Sequence, residues 1–159
     1  MSVRKFHLDD APRVSRLIRK ALLEVNSKDY PKKVIDFMYS KFTPGNLIEI
    51  SSRRDIYVVV KGGKVLATGS LSGNEIMTVF VDPRFQGKGI GTKMMDYLEG
   101  MAAKRGHRSI KLSSSITAQT FYRKRGYRDV RVNLDEDYGK TIIMRKNLVS
   151  RAKDIRRRP

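Results

Sequence analysis

Segments of strand and helix character alternate along this chain in an order that predicts one mixed α/β (α+β) domain with helices on both faces of a sheet. Three observations carry that reading. Ile56-Tyr-Val-Val-Val60 is a continuous apolar run of strand length, as in a strand covered on both faces, and Glu75-Ile-Met-Thr-Val-Phe-Val81 is a further strand. Gly62-Gly63 separates the first of them from another apolar run and is a two-residue hairpin signal, so part of the sheet is antiparallel. Val14 to Val25 and Gly89 to Lys104 instead carry apolar residues at helical spacing. At 159 residues the chain is one domain, able to bury roughly 68–70% of its unfolded surface and so to fold without disulfides.

Taken in order, Val3-Arg-Lys-Phe6 opens as a short strand. Asp9 or Asp10 caps a first helix, with Pro12 in the turn where a missing N–H is harmless; Val14, Leu17, Ile18, Ala21, Leu22 and Val25 form its apolar face. Tyr30-Pro31 restarts the chain into a second helix that turns Val34, Phe37, Met38 and Phe42 inward. Thr43-Pro-Gly-Asn46 reads as a break before a short helical stretch through Leu47, Ile48 and Ile50. Ile56–Val60 and Lys64–Leu71 form the hairpin. Ser72-Gly-Asn74 turns into Glu75–Val81, which Asp82-Pro83 stops, because proline cannot donate to a ladder. Gly89–Lys104 is a helix with Gly106 as its C-terminal cap. Ser109–Leu112 is a strand, Thr117–Arg125 a short helix stopped by Gly126, and Tyr127–Asn133 with Thr141–Lys146 a closing strand pair around the acidic loop Asp135-Glu-Asp-Tyr-Gly139. Residues 1–148 make the domain and residues 149–159 a basic tail.

Composition narrows the chemistry. With no cysteine, the chain has no disulfide framework, no thiol nucleophile and no Cys-ligated metal; with two histidines, a His-rich centre is not expected either, so no metal is expected. No window approaches the 18 or more apolar residues of a membrane span, and the N-terminus lacks an apolar signal core. A soluble, cytoplasmic protein with no membrane partner is the expectation. Net charge is +18 and uneven: 14 basic against 8 acidic side chains through Val81, then 20 against 8. Such a surplus favours anionic partners, among them phosphate-rich cofactors, acidic peptides and nucleic acid, unless it only mirrors a basic proteome.

The most informative stretch is Val79-Phe-Val-Asp-Pro-Arg-Phe-Gln-Gly-Lys-Gly-Ile-Gly-Thr92. A strand ends, a glycine-rich turn follows and a helix begins. Glycines 87, 89 and 91 let backbone N–H groups approach an anion, and the positive end of the helix dipole adds to them. Arg84, Lys88 and Lys93 bring mobile charge nearby. A Walker A loop is excluded because Gly89, not Ser or Thr, follows Lys88, and a dinucleotide G-x-G-x-x-G is excluded because Thr92 stands three after Gly89. On the glycines alone, a helix that merely begins with flexible residues is an equal alternative.

Val81-Asp-Pro83 followed by Gln86-Gly-Lys-Gly-Ile-Gly91 resembles motif A of the GNAT superfamily of acyl-CoA-dependent N-acetyltransferases. Downstream, Ala118-x-x-Phe-Tyr-Arg-Lys-Arg-Gly-Tyr127 is similar to a second segment of that family. The two stand in the family's order, and the resemblance covers residues 2–148. It implies a GNAT-like mixed, mostly antiparallel sheet whose central strands, Ile76–Val81 and Ser109–Ser114, run parallel and splay apart. Acetyl-CoA is then the co-substrate, its pantetheine arm in the cleft against the backbone of Val79, Phe80 and Val81, where a strand bulge frees donors and acceptors. Gly87, Lys88, Gly89, Ile90, Gly91 and Thr92 hold the pyrophosphate, Gln86 supports the turn, and Lys124 and Arg125 are candidates for the adenosine 3′-phosphate. Ser115 stands where many members carry an asparagine that bonds the pantetheine.

The implied activity is transfer of acetyl from acetyl-CoA directly to a primary amine: a small molecule, a peptide, a protein N-terminus or a lysine. The Val79 N–H is the oxyanion donor, Tyr122 matches the family's acid to the departing thiolate, and Glu75, eleven residues before Gln86, has the spacing of a base acting through water. Glu75 is otherwise solvated surface at a strand end. Tyr138 is a substrate-touching candidate from the acidic loop, and His107 reads as surface. The field of a strongly positive protein opposes polyamine substrates. The alternative is a binding module that holds nucleic acid or a ribosomal surface through Arg151, Lys153 and Arg156–Arg158. A homodimer is what the family suggests.

Overall fold

The computed structural model describes residues 1–148; the basic tail lies outside the described residues. Seven strands and five helices follow in the order β1 (Ser2–Lys5), α1 (Ala11–Glu24), α2 (Lys32–Lys41), α3 (Pro44–Ser51), β2 (Asp55–Lys61), β3 (Lys64–Ser72), β4 (Glu75–Val81), α4 (Ile90–Lys104), β5 (Ser109–Ser115), α5 (Gln119–Lys124), β6 (Arg128–Asp135) and β7 (Gly139–Asn147). They build one sheet in the order β1-β2-β3-β4-β5-β7-β6. Every neighbouring pair is antiparallel except the central β4 and β5. The mixed fold with a parallel central pair is thus the one expected.

The reason β2 is a continuous apolar run is now visible. Tyr57 and Val59 point into a core beneath α4, where Met94, Met95 and Leu98 are fully buried. Ile56 and Val58 point the other way, into a second core with Val14, Ile18 and Leu22 of α1 and Leu47 of α3. Alternation is intact, but both faces are covered. The β2–β3 turn places Gly62 and Gly63 at φ 56° and 75°, the paired positive angles that a two-residue hairpin requires.

Three local expectations are corrected. Asp10 occupies the N-cap position of α1, but its side chain does not cap that helix. It is buried and accepts from Arg4 at 2.7 Å and from the His7 N–H at 2.8 Å, and the Arg4 hydrogen bond holds its carboxyl below the usual range. Thr43-Pro44 is not a break ahead of α3 but its start: Thr43 Oγ1 accepts from the Asn46 N–H, and Pro44 fills the first turn. The closing strands are longer than the sequence suggests, so Asp135 belongs to β6 and Gly139 to β7.

Behind the sheet, a charged knot joins α4, α5 and β7. Glu99 accepts from Arg125 at 3.1 Å, Lys146 at 2.7 Å and the Tyr127 hydroxyl at 3.0 Å. Its side chain and that of Arg125 are only 12% and 13% exposed. Removing one partner of such a cluster strands the others in a dry site, a loss of about 3–5 kcal/mol. Glu99→Ala is therefore expected to lower unfolding free energy by about 3 kcal/mol in urea titrations, with Glu99→Gln losing less because it still accepts a hydrogen bond.

Candidate active site

The site begins where the sheet comes apart. β4 and β5 are paired at Glu75–Lys111 and Ile76–Leu112 and no further. Beyond Ile76, the backbone groups of β4 that face away from β3 have no strand partner. The cause lies on β4 itself. Ser70 of β3 pairs with Met77 but Thr68 pairs with Phe80, so β4 carries an extra residue opposite Gly69. Thr78 has φ 55°, the one non-glycine residue with positive φ among the described residues. This bulge turns β4 away from β5 and exposes the main chain around Val79. The expected splay and bulge are both present.

The resulting cleft has a volume of about 1370 Å³, above the roughly 300–1,000 Å³ of ordinary small-molecule pockets. One wall is Met77 to Val81; the other is Leu112, Ser113, Ser115 and α5. Its far end is closed by the turn from Gln86 to Thr92. There Asp82, 4% exposed, accepts from the Arg84 N–H at 3.0 Å and from the Arg84 guanidinium at 2.9 Å. Arg84 is thereby committed to Asp82 rather than being the mobile charge that the sequence suggests. Gly87 and Gly89 take φ 74° and 77°, where a side chain is strained although the space beside them is open. Gly89 ends as the cap of α4 with no side-chain acceptor. The N–H groups of Ile90, Gly91 and Thr92 lack intrahelical acceptors, and these residues border the cleft. Gly91 packs against Phe121, where a Cβ would make ordinary contact with the ring at 3.4 Å.

Of the residues singled out from sequence, Glu75, Val79, Phe80, Val81, Gln86, Gly87, Gly89, Ile90, Gly91, Thr92, Ser115 and Tyr122 all line this one cleft. Lys88 and Lys124 do not. Lys88 holds its ammonium over the Phe85 ring at 5.7 Å, and Lys124 is exposed at the end of α5. Arg125 is bound to Asp96 and Glu99 on the opposite side of α5. Ser115 Oγ accepts from the Ala118 N–H at 3.1 Å, so it caps the turn into α5. Tyr122 is 6% exposed, packed against Phe121 and Tyr127. Burial pushes its phenol well above the ordinary value. Glu75 opens a central strand and borders the cleft, so it is not edge surface.

Two residues that sequence reasoning passed over are also here. Tyr30 donates to the Lys140 carbonyl at 2.6 Å and accepts from the Ile116 N–H at 2.8 Å, tying the start of α2 to β7 and to the β5–α5 turn. Beside it, Thr117 donates to Asp29 at 2.7 Å. Arg54, between α3 and β2, reaches the bulge and donates to Thr78 Oγ1 at 3.2 Å. Its only sequence signal is an Arg-Arg pair directly ahead of an apolar strand. Among the described residues there is no group of three metal-ligating side chains, and no helix is long and apolar enough to cross a membrane.

A sequence model of the acetyltransferase (GNAT) domain matches residues 26–148. The fold is shared with a GCN5-related N-acetyltransferase from Rhodopseudomonas palustris (TM-score 0.87, 22% identity, 92% of this chain and 95% of that one). It is also shared with PaiA N-acetyltransferase from Thermoplasma acidophilum, crystallised with coenzyme A (TM-score 0.78, 17% identity, 92% and 98%). A third likeness is the ribosomal-protein-S18-alanine N-acetyltransferase of Escherichia coli (TM-score 0.69, 16% identity, 92% and 93%). No curated protein sequence matches the chain. A central pair of parallel strands forced apart by a bulge, a glycine turn opening α4, and a domain match over most of the chain together place this protein in the GNAT acetyltransferase family.

Proposed function

We propose that the protein transfers the acetyl group of acetyl-CoA directly to a primary amine, and that the cleft between β4 and β5 is where this happens. The observation that carries the reading is the bulge at Thr78, which leaves strand-like backbone groups unpaired along one wall of a deep cleft that ends at the start of α4. Those groups suit an extended chain bearing amides, such as a pantetheine arm, which adds to β4 where β5 has left it. The Ile90, Gly91 and Thr92 N–H groups, with the helix dipole behind them, suit a pyrophosphate.

Each chemical step then falls to a placed group. The amine nitrogen attacks the thioester carbonyl carbon, forming the C–N bond while the oxygen gains negative charge. The Val79 N–H, beside the bulge, stabilises that oxygen. The proton leaving nitrogen passes through water to Glu75. As the C–S bond breaks, the Tyr122 hydroxyl donates its proton toward the sulfur, and solvent restores it. No covalent enzyme intermediate is needed, in keeping with a chain that has no cysteine.

Calorimetry with acetyl-CoA is the first test. Gly89→Glu introduces a strained backbone position and a carboxylate where the pyrophosphate would sit. It should weaken acetyl-CoA binding by about 100-fold, roughly 2.7 kcal/mol, without unfolding the protein, since the space beside Gly89 is open. Selective binding of CoA species over ATP and NADH supports the site; equal, salt-labile binding of all three overturns it.

Tyr122→Phe should lower kcat by about 100-fold and leave the affinity for acetyl-CoA nearly unchanged. The pH dependence has a definite sign. An acid works only while protonated, and burial raises this phenol above its ordinary value of about 10. The rate should therefore hold up to at least about pH 10, and an alkaline fall centred well below that in wild-type kcat would remove Tyr122 from the acid role. Glu75→Gln should slow turnover at neutral pH with CoA affinity retained.

A further inference from the structure

Several arginines that pack against this fold have a carboxylate. Arg4 has Asp10, Arg105 has Asp55, and Arg125 has Asp96 and Glu99. Arg54 has none within ion-pair distance among the described residues. Its Nη1 donates to the Met77 sulfur at 2.8 Å and its Nη2 to Thr78 Oγ1 at 3.2 Å, both neutral acceptors. Its Nε is buried and has no partner. A guanidinium stays charged under all ordinary conditions, so it carries this burial with no carboxylate in contact. Desolvation accordingly lowers its pKa, with Arg53 adding to the effect and Glu75, at longer range, partly opposing it. A void of about 10 Å³ lies between Arg54 and the side chains of Ile50, Thr68 and Ser70. It has room for about one water, which can satisfy an N–H but brings no counter-charge.

The other charges at this end of the cleft are accounted for. Arg53 and Glu49 face each other at 3.7 Å, and Lys41 lies over the Phe37 ring at 5.0 Å. Asp135 accepts from the N–H groups of Asp137 and Tyr138, so its carboxylate fixes the β6–β7 turn. Arg54 and Glu75 border the same cleft near the bulge, and neither is in an ion pair among the described residues. Arg54 is hydrogen-bonded to Thr78, the residue next to Val79.

We propose that the acceptor is a small amine that carries its own carboxylate, as a free amino acid does, with Arg54 holding the carboxylate while Glu75 faces the ammonium. The assignment rests on the acetyl-transfer reading for the identity of the reaction, but not for the binding it asserts. A planar guanidinium with donors to spare takes a carboxylate through paired N–H bonds, and in a half-buried position that contact is stronger than at the surface. An amine lacking the acid group leaves Arg54 as it is in the free protein and gains nothing from it. The peptide amide that replaces the carboxylate in an N-terminal acceptor offers a neutral oxygen only.

The test uses matched sets: an amino acid, its decarboxylated amine and its amide, taken across the standard side chains. Binding is read by ligand-detected NMR on the protein alone and on the CoA-saturated protein, and turnover as kcat/KM with acetyl-CoA. For the preferred side chain, the amino acid should exceed its decarboxylated amine by at least about 30-fold, roughly 2 kcal/mol. Arg54→Gln should bring that ratio close to one, chiefly through KM, and Arg54→Lys should restore part of it. Equal use of the amide or the amine by the wild type overturns the proposal, as does a ratio that survives in Arg54→Gln. Melting temperature separates selectivity from scaffolding. Arg54→Met removes a charge with no carboxylate in contact and should melt no lower than wild type, whereas lower melting with selectivity intact assigns Arg54 a structural role and overturns the proposal. If CoA fails to bind while amino acids still bind through Arg54, the transfer reading falls and this one stands.

Discussion

Everything at this site depends on one extra residue in β4. A regular strand there would stay in register with β5 along its whole length, and the sheet would be closed. The bulge opposite Gly69 bends β4 after a short parallel contact, and the pairing with β5 ends at Ile76. The strand connection then has to cross to α4, and the glycine turn makes that crossing at the wide end of the gap. Cleft, free backbone and helix terminus are therefore one feature seen at three points. Thr78 takes the backbone strain, at an angle that a non-glycine residue adopts at a cost of order 1–3 kcal/mol. Packing holds it there: the β3 backbone on one side, with Leu98 and Met94 filling the space above Gly69, and Arg54 on the other.

Charge is distributed with a similar division. A molecule at +18 repels itself, and several of its few acids sit beside cations at junctions between elements. Asp10 pins β1 to the start of α1, Asp55 gathers Lys5 and Arg105, and Glu99 binds the back of α4 to α5 and β7. Asp10 and Asp55 both titrate low in the folded state because of those cations. Their contribution is thus complete above the ordinary carboxylate range and fades as the pH falls below it. The cleft departs from this pattern at Arg54 and Glu75, which line it without an ion pair among the described residues.

Much of this was legible in the sequence because local rules dominated. The hairpin glycines, the apolar run of β2 and the glycine turn ahead of α4 each follow from short-range chemistry and each holds in the structure, whereas the Phe-Tyr pair on α5 was singled out by the family resemblance. The side-chain roles that slipped did so where a nearby charge claimed the group. Asp10 looked like a helix cap but was drawn to Arg4, and Arg84 looked free but was bound by Asp82 two residues away. Arg54 and Tyr30 were not legible at all. Nothing near either residue in sequence announces its partners, which come from β4, β7 and the β5–α5 turn and meet only once the sheet has formed.

Tyr30 carries the longest reach of these. Its hydroxyl is donor to one segment and acceptor from another, so the helical wall and the α5 end of the cleft are joined through a single oxygen atom. Gly139 lies directly beneath that ring, where any Cβ would come within 3.0 Å of it. The glycine is needed there twice over, for the space under the ring and for its left-handed φ of 72°. Loss of that one oxygen would free the α2 side of the cleft to shift against α5, so the width of the cleft is set in part from a point remote from the bulge.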